Sequence, residues 1–293
     1  MELPEIRTID VGGPVAIREW DGPADTVFLL LHGLGASHLS WVQVAEPLSG
    51  LGRVVAVDLP GFGESPAAGR GAGLMDQRRT VSKLIASLGG PVVLVGNSMG
   101  GGLGIIQAAV EPETVRGLVL TNSVFPWRLG PQPHPLVLGA FATYWLPGIG
   151  ERFVGWRLHQ LDPERLVRLG LAVLTADPSK IPEEIVASLI EQTRRRRDDP
   201  ETVTAFLEAA RSILRLGRRP AVARRALDNI PCPVLVVHGR RDRFVPASFA
   251  EAELRLHASW RGRFFPDVGH IAQMEAPGRW MSEVADWSAT SLR

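Results

Sequence analysis

Two rhythms alternate along the chain. Residues 27–31, 54–57, 92–95, 118–120 and 234–237 are unbroken apolar runs, too short for helices and rich in Val and Leu. A strand covered by helices on both faces reads this way, because neither of its sides meets water. Between the runs, apolar residues recur every three or four positions, as at Val81, Leu84, Ile85 and Leu88. That spacing predicts helices over 38–48, 76–88, 103–110, 249–256 and 279–288. Residues 7–11 and 15–20 flank Gly12-Gly13-Pro14 and predict a hairpin, and 263–265 predicts a last strand. From 124 to 228 the strand rhythm stops. Helical spacing continues over 183–197, 201–216 and 221–227, and Pro163, Pro182, Pro200 and Pro220 stand near helix starts, where a missing N–H costs little. The expected architecture is an α/β sheet carried by residues 1–123 and 229–293, interrupted by a helical insertion over 124–228.

The chemistry begins at Gly96-Asn97-Ser98-Met99-Gly100-Gly101, which joins the run at 92–95 to a segment of small and apolar residues. A Gly-x-Ser-x-Gly match between a strand and a helix describes a tight turn that lifts the serine hydroxyl above the sheet. A hydroxyl is a weak nucleophile at neutral pH, so Ser98 needs a base. Of seven histidines, His270 is the candidate. It lies just past the last predicted strand, and strand C-terminal ends converge on the edge where ligands bind. His38, His134, His159 and His257 fall in predicted helices or in the insertion and read as structural or solvated. The imidazole needs a carboxylate to hold its tautomer. Asp242 follows the run at 234–237; Asp267 reads as a loop carboxylate, and Thr121-Asn122-Ser123, after 118–120, offers none. Two N–H groups to hold a tetrahedral oxyanion are expected from Met99 and from Leu34 in His32-Gly33-Leu34-Gly35.

Five segments together carry a family resemblance: Leu31 to Gly35, Asp58-Leu59-Pro60-Gly61-Phe62-Gly63-Glu64-Ser65, Gly96 to Gly101, His238-Gly239-Arg240-Arg241-Asp242, and Gly269-His270. In this order they resemble the α/β-hydrolase superfamily. The resemblance implies a mostly parallel eight-stranded sheet with flanking helices, its second strand antiparallel, and a helical cap after the sixth strand. It implies a structural role for the 58–65 loop and an ordering role for His32. Some members carry an aspartate nucleophile and act on epoxides or haloalkanes; Ser98 argues against that chemistry.

Composition narrows the remaining classes. At 293 residues, 45% apolar and 22% charged, the chain can bury a large core, and its net charge of +1 provides no field for nucleic acid or an anionic membrane. The basic run Arg194 to Arg197 reads as a solvated helix end complementing the dipole, with a salt or anion contact as the alternative. The lone Cys232 excludes an internal disulfide and reads as a small buried filler. No phosphate loop, metal-ligand spacing or cofactor fingerprint is present, so no cofactor and no metal are expected. No stretch has signal-peptide form or transmembrane length. A cytoplasmic protein, monomer or homodimer, with a small apolar substrate and no nucleic-acid or integral membrane partner is expected. The expected reaction is hydrolysis of a small to medium apolar carboxylic ester, with Trp127, Trp145 and Trp156 as pocket or packing residues of the insertion. The alternative is carbon–carbon bond hydrolysis of a diketone-like ring-cleavage product. The elbow and Gly269-His270-Ile271-Ala272-Gln273-Met274-Glu275 resemble those enzymes, but Leu34-Gly35-Ala36-Ser37 and Ile271 depart from their usual pattern. An arginine pairing a substrate carboxylate would favour that alternative; Arg128, Arg152 and Arg157 are its candidates. A non-catalytic ligand binder is the third and remotest account.

Overall fold

The apolar runs become the inner strands of one eight-stranded sheet in the computed structural model, which describes residues 3–125, 132–217 and 219–292. The strands are β1 (Ile6–Asp10), β2 (Pro14–Trp20), β3 (Val27–Leu31), β4 (Arg53–Val57), β5 (Val92–Asn97), β6 (Val115–Thr121), β7 (Val234–Gly239) and β8 (Arg261–Phe265). Their spatial order is β1-β2-β4-β3-β5-β6-β7-β8, and β2 alone runs against the others. Residues of one strand divide between two cores with period two. Leu29, Leu31, Val92 and Leu94 pack on one face, and Phe28, Leu30, Val93 and Val95 on the other. Full burial of each such side chain contributes about 1.5–3 kcal/mol.

Helices cover both faces. The sheet-flanking ones are α1 (Val42–Ser49), α2 (Leu74–Ser87) and α3 (Met99–Val110). Between β6 and β7 the described residues hold α4 (Pro135–Trp145), α5 (Ile149–Gln160), α6 (Pro163–Leu174), α7 (Glu183–Arg196), α8 (Glu201–Gly217) and α9 (Pro220–Asp228), with no strand. After β7 come α10 (Ala247–Leu256), α11 (Ala272–Glu275) and α12 (Pro277–Ser291). Trp41, Val44 and Leu48 of the α1 side meet Trp280, Val284 and Trp287 of α12 on one face. Val81, Leu84, Leu103 and Phe249 fill the other. Among the described residues no helix is long and apolar enough to cross a membrane.

Several local expectations change. The predicted helix at 38–48 is a 3-10 turn, His38–Trp41, followed by α1. The last strand starts two residues earlier than its apolar signal, because β8 is an edge strand whose Arg261 and Gly262 are only partly covered. The basic run is not simply a solvated helix end. Arg196 donates to Gly63 O at 2.9 Å and Gly61 O at 2.8 Å, and Arg195 pairs with Glu64 at 2.7 Å. Beside them Glu208 accepts from Ala72 N at 2.8 Å and Ser212 from Leu74 N at 3.0 Å, so α7 and α8 are tied to the 61–74 loop of the sheet unit. Trp156 is 55% exposed and Trp145 partly buried, while Trp127 and Arg128 lie outside the described residues. Cys232 is a partly buried neighbour of the core, and burial pushes its thiol up to about 11.

Candidate active site

β5 ends at Asn97 and α3 begins at Met99, which leaves Ser98 alone to reverse the chain. Its backbone has φ +53° and ψ −113°, a region that costs a non-glycine residue about 1–3 kcal/mol. The strain is held by hydrogen bonds on both sides: Ser98 N to Thr121 O at 3.1 Å and Val124 N to Ser98 O at 3.2 Å. Glycine neighbours make the turn possible. A Cβ on Gly96 would sit 2.3 Å from the Gly100 carbonyl carbon, and one on Gly100 would sit 2.1 Å from Leu31 O. Strand and helix meet backbone to backbone, and Ser98 is left half-buried at the sheet edge.

The loops after β7 and β8 bring Asp242 and His270 together. His270 Nδ1 lies 2.7 Å from Asp242 Oδ2. The other oxygen, Oδ1, accepts from Phe244 N at 2.7 Å and Val245 N at 2.9 Å. Burial alone would raise this carboxyl, but the charge and hydrogen bonds of His270 and His238 hold it well below the usual carboxylate range. An ionised Asp242 accepts from Nδ1 and so favours the tautomer with the proton there, which leaves Nε2 unprotonated. Phe244 stacks on the imidazole with ring centroids 4.8 Å apart. Asn97, next to Ser98, donates to His270 O at 3.1 Å and so ties the elbow to the histidine loop. Among the described residues no hydrogen bond yet joins Ser98 Oγ to His270; such a link commonly tightens only when substrate binds.

The third wall is the loop after β3. Gly33 faces the serine: a Cβ there would lie 3.3 Å from Ser98 Cβ. Gly33 O accepts from Ala36 N at 3.2 Å, and Gly35 has φ +70°, so Leu34 and Gly35 form the corner of a tight turn whose hydrogen bond does not use the Leu34 N–H. Met99 N belongs to the first turn of α3, ahead of the Gly102 N to Ser98 O bond at 3.1 Å. His32 orders this loop without chemistry. Its Nδ1 bonds Gly33 O at 2.7 Å, its Nε2 accepts from Leu59 N at 3.0 Å, and burial lowers its pKa.

The remaining titratable candidates go elsewhere. Asp267 pairs with Arg279 at 2.7 Å and Lys180 at 3.5 Å on the surface, not with His270. His257 stacks on Trp260, His134 caps α4, and His38 is buried against Asp58. Two polar partners of Asp242 escaped the sequence pattern. Asn122 Nδ2 reaches Asp242 Oδ2 at 2.9 Å and Gly269 O at 3.1 Å from a left-handed backbone, φ +45°. His238 Nε2 lies 2.9 Å from Val245 O and 3.4 Å from the same carboxylate oxygen. Both are polar residues at the end of apolar strand runs, fully buried, and that contrast is the signal that could have found them. Among the described residues no three His, Cys, Asp or Glu side chains are grouped to hold a metal.

A strained serine at the end of an inner strand, in a turn tied through Asn97 to the loop of an Asp–His pair, is the arrangement expected of a hydrolase, and the family comparison agrees. Residues 28–284 match the model of the alpha/beta hydrolase family, and the chain belongs to that family of hydrolases. It is similar, at 30% identity over 295 residues, to a 2-hydroxymuconate semialdehyde hydrolase of a Pseudomonas species, with 98% of this chain and 95% of that protein covered. It is 29% identical over 255 residues to the dihydrolipoyllysine-residue acetyltransferase component of the acetoin cleaving system of Cupriavidus necator. That match covers 87% of this chain and 61% of the relative, so the chain spans about three-fifths of the relative's length. Among solved structures, a haloalkane dehalogenase from Bradyrhizobium elkani is similar in fold, with a TM-score of 0.82, 24% identity and 98% of each chain covered.

Proposed function

We propose that the chain hydrolyses carboxylic esters with an apolar acyl group, with Ser98 as nucleophile, His270 as base and then acid, and Asp242 as the carboxylate that orients and stabilises the imidazole. The observation that carries this reading is the 2.7 Å His270–Asp242 bond on the loop that Asn97 ties to the strained Ser98 turn. Ser98 Oγ attacks the acyl carbon as His270 Nε2 takes its proton. The Leu34 and Met99 N–H groups receive the oxyanion, where loss of one donor typically costs about 10²–10³ in turnover. His270 then protonates the leaving alcohol, and water, activated by the same imidazole, releases the acid.

The apolar preference rests on what stands over the Leu34 turn. Leu34 packs against a buried cluster of Tyr144, Val154, Leu207 and Ala210, as do Phe141, Phe153 and Phe206, and Phe206 lies 3.0 Å from where a Gly35 Cβ would be. Of the arginines that could hold a substrate carboxylate, Arg152 is exposed and Arg157 donates to the Tyr144 hydroxyl at 3.2 Å, while Arg128 lies outside the described residues. A series of p-nitrophenyl esters of rising chain length, assayed beside a dienoic ring-cleavage substrate, tests the reading. The expected outcome is ester turnover that rises from acetyl to medium acyl groups and vanishes in Ser98→Ala.

Carbon–carbon bond hydrolysis is the second reading, favoured by the 30% identical relative, which is a 2-hydroxymuconate semialdehyde hydrolase. Turnover of the dienoic substrate alone would replace the ester reading with this one.

A further inference from the structure

The end of α6 is joined to both loops of the Asp–His pair. A helix leaves its last carbonyls without intrahelical partners. Here those carbonyls are taken by the site. Leu174 O accepts from His270 N at 2.6 Å, and Ala172 O accepts from Arg243 Nη1, next to Asp242, at 2.6 Å. Gly269 is pressed so close that a Cβ on it would meet Leu174 O at 2.5 Å and Ala176 N at 2.8 Å. At the centre of this junction lies Glu275, 3% exposed. Its Oε2 accepts from Gly269 N at 2.7 Å, and its Oε1 from Ala176 N at 3.0 Å and Asp177 N at 2.9 Å. A buried carboxylate is costly unless its lone pairs are filled, and these are filled from two segments about a hundred residues apart in sequence.

We infer that Glu275 is a positioning residue for His270: its carboxylate fastens the histidine loop to residues 174–177 of the helical insertion and holds the imidazole in register with Asp242. The inference rests on the reading of His270 as the base. It makes the α6 end of the insertion a fixed part of the catalytic centre, so any opening for substrate must occur elsewhere. Glu275 touches no reacting atom and acts through the main chain of Gly269.

Glu275→Gln tests it with little change of shape. A carboxamide has one oxygen, so its NH₂ must face N–H donors either at Gly269 or at Ala176 and Asp177, and one side of the junction is lost. The expected result is a kcat for ester hydrolysis lower by about tenfold or more, because small misplacements of a catalytic group are expensive, with KM within about twofold of the parent. The low-field proton resonance of the His270–Asp242 hydrogen bond should broaden or vanish in parallel, which a purely structural role would not produce. A folded Glu275→Gln protein with parental kcat and an unchanged resonance overturns the inference. If that variant does not fold, Arg243→Ala, an exposed site, cuts the second tether. A lower kcat at constant KM then supports the inference, and parental kcat overturns it. A parent enzyme that hydrolyses no ester defeats the functional proposal instead; the resonance still decides the positioning role, by its loss or its persistence in Glu275→Gln.

Discussion

Among the described residues two buried aspartates are each hydrogen-bonded to a histidine Nδ1, and only one of these bonds lies in a loop tied to the Ser98 turn. Asp58 and His38, after β4 and β3, are joined at 2.8 Å through Nδ1; Asp242 and His270, after β7 and β8, are joined at 2.7 Å in the same way. In each pair the carboxylate has no exposed side-chain surface and also accepts main-chain N–H groups. Both carboxyls are held below the ordinary range against the opposing effect of burial. The difference lies in the surroundings. His38 Nε2 is buried with no hydrogen-bond partner among the described residues, whereas the His270 main chain is bonded by Asn97, the residue before Ser98. An Asp–His bond can thus be a fastener, and under the proposed function the second pair is also half of a relay, because its loop is tied to the Ser98 turn.

The sharpest way to break this contrast is to delete each histidine. His270→Ala should lower ester turnover by at least about 10³-fold with the melting temperature nearly unchanged. His38→Ala should do the reverse, retaining turnover per folded molecule; urea titration and steady-state rates on the same samples separate the two. Next in size is Asp58→Ala, which strands a buried histidine and the N–H groups of His38 and Glu64; a loss of about 3–5 kcal/mol in urea unfolding is expected. Abolished turnover in a stably folded His38 or Asp58 variant would erase the distinction.

A fourth substitution acts on the turn that carries the proposed nucleophile. Gly100→Ala places a methyl 2.1 Å from Leu31 O, and strain of about 1–3 kcal/mol or more should appear in thermal unfolding together with slower ester turnover. The smallest effect belongs to a carboxylate outside both pairs. Glu111 is lowered to about 2 by hydrogen bonds from Ser82 and Arg78. Its folded value lies below its unfolded one, so its stabilisation is present above about pH 4.5 and is lost as pH falls toward 2. Glu111→Gln should thus cost about 0.5–1 kcal/mol at pH 7, with the difference shrinking through that window in a pH series of urea titrations.

The inner sheet was legible because β3, β5, β6 and β7 are buried on both faces and write unbroken apolar runs. The edge strand β8 was half legible, since Arg261 and Gly262 carry no such mark. The elbow, Asp242 and His270 stood out because their residue types follow strand ends in a recognisable order. Glu275 and Asn122 did not. Their importance comes from main-chain groups at 176, 177 and 269 that only tertiary structure brings within reach. Arg196 was misread for the same reason: a basic helix end reads as solvated until the 61–63 carbonyls are seen against it.

Fluorophosphonate labelling with mass mapping tests most directly whether Ser98 is activated by the His270–Asp242 pair. The account predicts one adduct per chain, on Ser98, formed at least about 10³-fold more slowly in His270→Ala and at the parental rate in folded Asp58→Asn. An unlabelled parent, an adduct on another residue, or equal labelling in His270→Ala would contradict it.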